Sequence, residues 1–293
     1  MAFPITTELI AAQARRLGEG DHRYTVRQLY YASCAAADRP PPSAARGLTG
    51  CGVLLLLLAA ALLWVHSAAL TAALAALGVV ALAAALASAI RERRRVPGSR
   101  PLAESYDGFR EGPLRRALTV RPEAFSAMLA PAQPATSGPG DPLQGGAAPP
   151  GAGALVACDR SETALLLTGN AAHLPAVRVV TVDPAGGAAA PAGLVAGRRI
   201  VALHDADPRG CDLPARLRRD GALEVIDAGL SPPPSDAGLQ VIEGAPARLP
   251  EGLEAELAAD QVHWLRSGRR MELATLTPRE VLARVVAALE GAA

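Results

Sequence analysis

Between Arg46 and Arg91 there is no charged side chain, and His66 is the one residue of that stretch that titrates near neutral pH. The 44 residues from 47 to 90 are dominated by Ala and Leu, far more than the ~20 residues that cross a bilayer core. As one straight helix they would reach about 65 Å, which no single hydrocarbon layer covers. A two-helix transmembrane hairpin is the economical solution. Its turn is expected at Trp64-Val65-His66-Ser67, where an indole and an imidazole would sit at headgroup depth. Arg46 lies before the stretch, and Arg91-Glu92-Arg93-Arg94-Arg95 follow it. The positive-inside rule then puts both termini in the cytoplasm of a two-helix protein of the inner (cytoplasmic) membrane. The alternative, an Ala-rich helix pair inside a soluble bundle, would normally keep a polar face.

The remaining composition is less selective. All 29 basic residues are Arg, and the net charge of +1 excludes a uniformly basic, nonspecific nucleic-acid binder while leaving room for a local Arg stripe. Cys34, Cys51, Cys158 and Cys211 are far apart, with no His at ligand spacing, so neither a zinc site nor a disulfide framework is expected. A reducing cytoplasm fits that usage. Residues 1–20 carry Glu8, Arg15, Arg16 and Glu19 and lack the apolar core of a secretory signal.

The chain divides by texture. Residues 1–46 read as a helical segment: an amphipathic helix over 5–17, a break at Gly18-Glu19-Gly20-Asp21, and a second helix opened by Thr25-Val26-Arg27-Gln28, which has capping-box spacing. Two short helices with a tight break suggest half of a helix-turn-helix or winged-helix unit. After the hairpin, residues 91–153 read as a basic juxtamembrane region and a linker rich in Pro, Gly and Ala. From 154 to 232, short apolar runs alternate with helical stretches. Strands are expected at 154–158, 177–182, 199–203 and 223–226, with helices at 161–173 and 213–220. That alternation predicts an α/β, Rossmann-like parallel sheet with helices on both faces. Residues 233–293 form a C-terminal extension that ends in a helix, announced by Thr277-Pro278-Arg279-Glu280.

Chemistry is expected where strands end. Asp205-Ala206-Asp207-Pro208-Arg209-Gly210 follows directly on the apolar strand that closes at Leu203, and two carboxylates at i and i+2 can turn toward one hard cation such as Mg²⁺. Cys158-Asp159-Arg160 places another acid at a second strand end, with Glu162 three positions beyond Asp159. Near the N-terminus stands Tyr24-Thr25-Val26-Arg27-Gln28-Leu29-Tyr30-Tyr31. Adjacent tyrosines lie about 100° apart on a helix, so one can pack while the other reaches out.

In these motifs the chain resembles the Toprim domain of the A subunit of type IIB DNA topoisomerases (topoisomerase VI) and its smaller relatives. There an acid ends the first Toprim strand, a DxD ends a later one, and a winged-helix segment carries the attacking tyrosine. Gly268-Arg269-Arg270-Met271-Glu272-Leu273-Ala274-Thr275-Leu276 is a weaker echo of text that follows that domain. The resemblance covers about residues 5–37, 154–227 and 261–290, and omits the hairpin, the linker and any recognisable wing. Asp159 stands where the family has Glu. The resemblance implies a Toprim-like fold, Mg²⁺ held by Asp159, Asp205 and Asp207, a nucleophile at Tyr31, with Tyr30 as the alternative, and Arg27 on the phosphate. It also implies DNA as substrate, a homodimer in which each tyrosine serves the partner's metal site, and a separate GHKL-type ATPase subunit. A catalytically degenerate Toprim-like membrane scaffold or sensor is the alternative, and a nuclease or primase chemistry is a third.

Overall fold

Four apolar runs with β-branched residues at their centres give the fold its frame. The computed structural model describes residues 4–37, 105–130, 154–182, 195–233 and 239–291. Strands β1 (Leu155–Cys158), β2 (Arg178–Thr181), β3 (Arg199–Leu203) and β4 (Glu224–Asp227) form one sheet, all parallel, in the order β2-β1-β3-β4. The two inner strands are buried on both faces, as the near-continuous apolar text of a covered parallel sheet requires.

Successive side chains of β1 point to opposite faces. Leu155 and Ala157, with Ile200 and Ala202 of β3, pack against Leu213 and Leu217 of helix Leu213–Arg219. Val156 and Cys158, with Val201 and Leu203, pack against Leu166 and Leu167 of helix Ser161–Gly169. Val281, Leu282 and Val285 of the last helix, Pro278–Glu290, join that second core. The C-terminal extension is thus structurally part of the α/β body. Its cap forms as the sequence predicts: Glu280 N–H donates to Thr277 Oγ1 at 3.3 Å, and Thr277 N–H donates to Glu280 Oε2 at 2.7 Å.

The N-terminal text also folds as expected. Helix α1 (Thr7–Leu17) stops at a 3₁₀ turn whose Gly20 has φ 72°, and helix α2 (Val26–Ala37) follows. Thr25 and Gln28 exchange capping hydrogen bonds of 3.1 and 3.2 Å. Residues 105–130, which the sequence groups with the linker region, instead carry helices Tyr106–Phe109 and Arg115–Val120 joined by a wider π-helical turn over Arg110–Leu114. Their Phe109, Leu114, Ala117 and Phe125 share a core with Ile10, Leu17, Leu29 and Tyr30.

Helix α2 is also tied to the sheet body. Asn170, just beyond the helix that follows β1, accepts from Arg23 N–H at 2.7 Å and donates to Arg23 and Leu166 carbonyls, each at 2.8 Å. Gln28 Nε2 donates to the Leu276 carbonyl at 3.0 Å. The hairpin expected over residues 47–90, its flanking arginines and the linker expected to extend to residue 153 fall on residues 38–104 and 131–153, outside the described residues. Among the described residues, no helix is long and apolar enough to cross a membrane.

Candidate functional site

The order of the sheet fixes where a site belongs. From β1 the chain steps outward to β2, whereas from β3 it steps outward the other way to β4, so the switch point of this topology lies between β1 and β3. Ligands of open parallel sheets bind at such points, beyond the carboxyl ends of the strands. Cys158 and Leu203 are paired in register there, which brings Asp159 and Asp205 out side by side.

The contact is direct: Asp205 N–H donates to Asp159 Oδ2 at 2.9 Å. Both acids are 3% exposed. Asp207 caps the short helix Pro208–Cys211, its Oδ1 accepting from the backbone N–H groups of Arg209 (2.9 Å) and Gly210 (2.7 Å). Asp205 Oδ1 accepts from Leu273 N–H at 2.7 Å. Each carboxylate of the trio therefore spends one oxygen on backbone. Of the others, Asp159 Oδ1 is buried without a hydrogen-bond partner, while Asp205 Oδ2 and Asp207 Oδ2 are held by Arg160 through Nε at 3.0 Å and Nη2 at 2.9 Å.

Burial and crowding make Asp159 and Asp205 reluctant to ionise. Desolvation raises Asp159, and the amide of Asp205, His204 and Arg160 offset only part of the rise. Desolvation also lifts Asp205 well above the ordinary carboxylate range, and the neighbouring Asp159 and Glu272 add to it against Arg160 and the Leu273 amide. Beneath the turn, His204 bonds the Asp205 carbonyl through Nδ1 at 2.8 Å and Asp227 through Nε2 at 3.0 Å. Gly229 leaves no room for a Cβ against the His204 ring, which fixes that support.

Helix α2 enters the same site from the far end of the sequence. Arg27 reaches Glu162 at 3.2 Å and Glu272 at 2.9 Å, with its guanidinium carbon 4.9 Å from the centre of the Tyr106 ring. The Tyr31 phenol hydrogen-bonds Glu272. Tyr30 turns away into an aromatic cluster with Tyr106 and Phe109, each at a ring separation of 5.4 Å. Of the two adjacent tyrosines, Tyr31 is therefore the one beside the acids. It is 4% exposed, and burial together with the Glu272 charge pushes its phenol far above the usual value. No family model, curated protein or solved structure matches this chain.

All five residues singled out by sequence, Arg27, Tyr31, Asp159, Asp205 and Asp207, lie at this one end of the sheet. Two further participants were not assigned a role from sequence. Arg160 bridges the DxD carboxylates, a part that a lone cation between two acidic strand ends could have suggested. Glu272 links Arg27 to Tyr31 and follows the short strand Arg269–Arg270, whose pairing with Ile242–Glu243 only the tertiary structure reveals.

A cleft of about 530 Å³ opens beside the acids, lined by Asp159, Asp207 and five arginines: Arg160, Arg209, Arg248, Arg269 and Arg270. In the present arrangement, no three His, Cys, Asp or Glu side chains among the described residues are grouped to hold one ion. The donor set nevertheless suits a hard divalent cation. It is all carboxylate oxygen, and the unpartnered, buried Asp159 Oδ1 lies in it.

Proposed function

We propose that this chain is a membrane-anchored, Mg²⁺-dependent protein of the topoisomerase VI A type, which binds DNA and cleaves it through Tyr31 beside a Toprim-like acidic cluster. The observation that carries the reading is the convergence on Glu272: Tyr31 and Arg27 of the N-terminal helix meet, through that one carboxylate, the Asp205 that follows β3 and is itself bonded to Asp159 at the end of β1. The arginine-lined cleft beside those acids supports a polyanionic substrate.

In this mechanism Asp159, Asp205 and Asp207 would hold a divalent cation, which when bound would supply charge neutralisation at the scissile phosphate. Arg27 orients a phosphate oxygen. Glu272 accepts the Tyr31 proton, and the phenolate oxygen forms a bond to phosphorus as the bond to a deoxyribose oxygen breaks. The released deoxyribose oxygen takes up a proton, leaving a 3′- or 5′-hydroxyl strand end and a phosphotyrosine. Membrane attachment through residues 47–90 with cytoplasmic termini, a homodimer and a separate GHKL-type ATPase subunit belong to the same proposal, except that Tyr31 adjoins the acids of its own chain instead of serving the partner's metal site.

A specific observation favours a second reading, a degenerate Toprim-like scaffold or sensor. Tyr31 is 4% exposed, and Arg160 rather than a substrate engages the DxD acids. One experiment separates the two. Full-length protein in mild detergent is incubated with supercoiled plasmid and Mg²⁺, alone and with candidate ATPase partners. Nicked, linear or protein-linked DNA that disappears in both Tyr31→Phe and Asp205→Ala supports the enzyme. No product under any of these conditions supports the scaffold.

A further inference from the structure

The oxygen inventory of the acidic cluster carries a step beyond that reading, and rests on it. Three carboxylates each give one oxygen to backbone amides: Asp159 Oδ2 to Asp205, Asp205 Oδ1 to Leu273, and Asp207 Oδ1 to Arg209 and Gly210. These bonds fix the carboxylates from behind. The three remaining oxygens are those that could turn to a cation, and Arg160 occupies two of them while the third is unpartnered.

Arg160 is built to leave. Its side chain is 39% exposed, against 4% for Asp205 and 16% for Asp207, so its guanidinium sits on the outer side of the pair. It also lines both cavities that meet here. The first is a small space of about 20 Å³, enough for one water, shared with Arg27, Glu162, Asp205 and Glu272. The second is the arginine-lined cleft. A modest rotation of the side chain would take the guanidinium from the carboxylates into that cleft, beside Arg209, Arg248 and Arg269.

We infer that Arg160 is an internal counter-ion: it holds the Asp205 and Asp207 carboxylates together until a divalent cation displaces it, and once displaced it binds a substrate phosphate in the arginine-lined cleft. The two states share one logic. A guanidinium bridges two carboxylates or grips a phosphate with the same planar set of donors, so the residue exchanges one anionic partner for another. Cation and DNA backbone then become linked ligands, each favouring the conformation the other needs.

The test uses Mg²⁺ itself, titrated calorimetrically at pH 8.5 into full-length protein in detergent. Arg160→Gln is expected to bind Mg²⁺ about tenfold more tightly than wild type, because no internal cation has to be expelled. Arg160→Lys, which keeps the charge but cannot bridge both acids, falls between them and guards against a folding defect in the first variant. Equal or weaker binding by Arg160→Gln overturns the counter-ion role. Absence of Mg²⁺ binding in wild type and both variants overturns the metal site proposed above, and this inference with it.

The phosphate half is read from the salt dependence of binding to a labelled duplex, in a Tyr31→Phe background that prevents covalent capture. With Mg²⁺, Arg160→Gln is expected to lower the slope of log affinity against log salt by about one unit. Without Mg²⁺ the slope is unchanged, since Arg160 is then held by the acids. An unchanged slope in Mg²⁺ refutes the exchange of partners.

Discussion

Replacing Gly210 with Ala tests whether the acidic turn is held by close packing. A Cβ at this position would collide with the Asp205 carbonyl oxygen and come within 3.0 Å of Asp159 Oδ2, both fixed by the hydrogen bonds of the site. The backbone at Gly210 lies in an ordinary helical turn, so space alone demands glycine there. Forcing a methyl into packed surroundings costs about 1–3 kcal/mol. Pushing the helix away from Asp207 also weakens the cap that its Oδ1 makes, a further ~1 kcal/mol. Against this, alanine recovers about 0.5–1 kcal/mol of chain entropy. The net loss of about 1–3.5 kcal/mol corresponds to a fall in the unfolding midpoint of about 2–14 °C for a body of this size. Gly112 supplies the internal control, because nothing lies within 4 Å of a Cβ built there. Thermal unfolding of the two alanine variants beside wild type reads the difference, and Gly112→Ala should match or slightly exceed wild type. If Gly210→Ala melts within 1 °C of Gly112→Ala, the close approach that shapes the site is refuted.

Asn170→Ala removes three hydrogen bonds, two of which clamp the Arg23 segment to the sheet body, and should cost about 3 kcal/mol, with the first helix becoming sensitive to limited proteolysis. Arg27→Ala leaves the Glu272 carboxylate, 6% exposed and beside Asp205, with the longer 3.8 Å ion pair to Arg270, and should cost about 3 kcal/mol in urea unfolding. Adding Glu272→Gln should return part of that loss, whereas strict additivity of the two substitutions would show that they do not act as a pair. Thr277→Ala breaks the reciprocal cap of the last helix and should lower stability by about 1 kcal/mol in the same assay without changing Mg²⁺ affinity.

What the sequence made legible follows from how local each signal is. The strand at 199–203 was readable to the residue because its apolar run ends against a polar turn, and the caps at Thr25 and Thr277 are complete within four residues. Residues 105–130 were not readable as helix. Gly108, Gly112 and Pro113 interrupt the periodicity, and the chain absorbs the proline by widening one turn rather than ending the helix. Leu223 fits the apolar text of a strand, yet it is 79% exposed and precedes the strand that starts at Glu224. The acids of the site could be anticipated because each closes an apolar run. Arg160 and Glu272 could not be given roles, since their partners lie 45 to 47 and 241 to 245 residues away, respectively, and only packing unites them.

The aromatic cluster around Tyr30 has a consequence for topology. Tyr30 belongs to the helix that ends at Ala37, and its ring meets Tyr106 and Phe109 of the segment that begins at Ser105. The polypeptide thus departs from and returns to one folded body, whose two portions share a single apolar core. A bilayer cannot pass through that core. Ala37 and Ser105 therefore lie on the same side of any membrane the protein meets, a constraint imposed by the packing of three rings and independent of where the arginines lie.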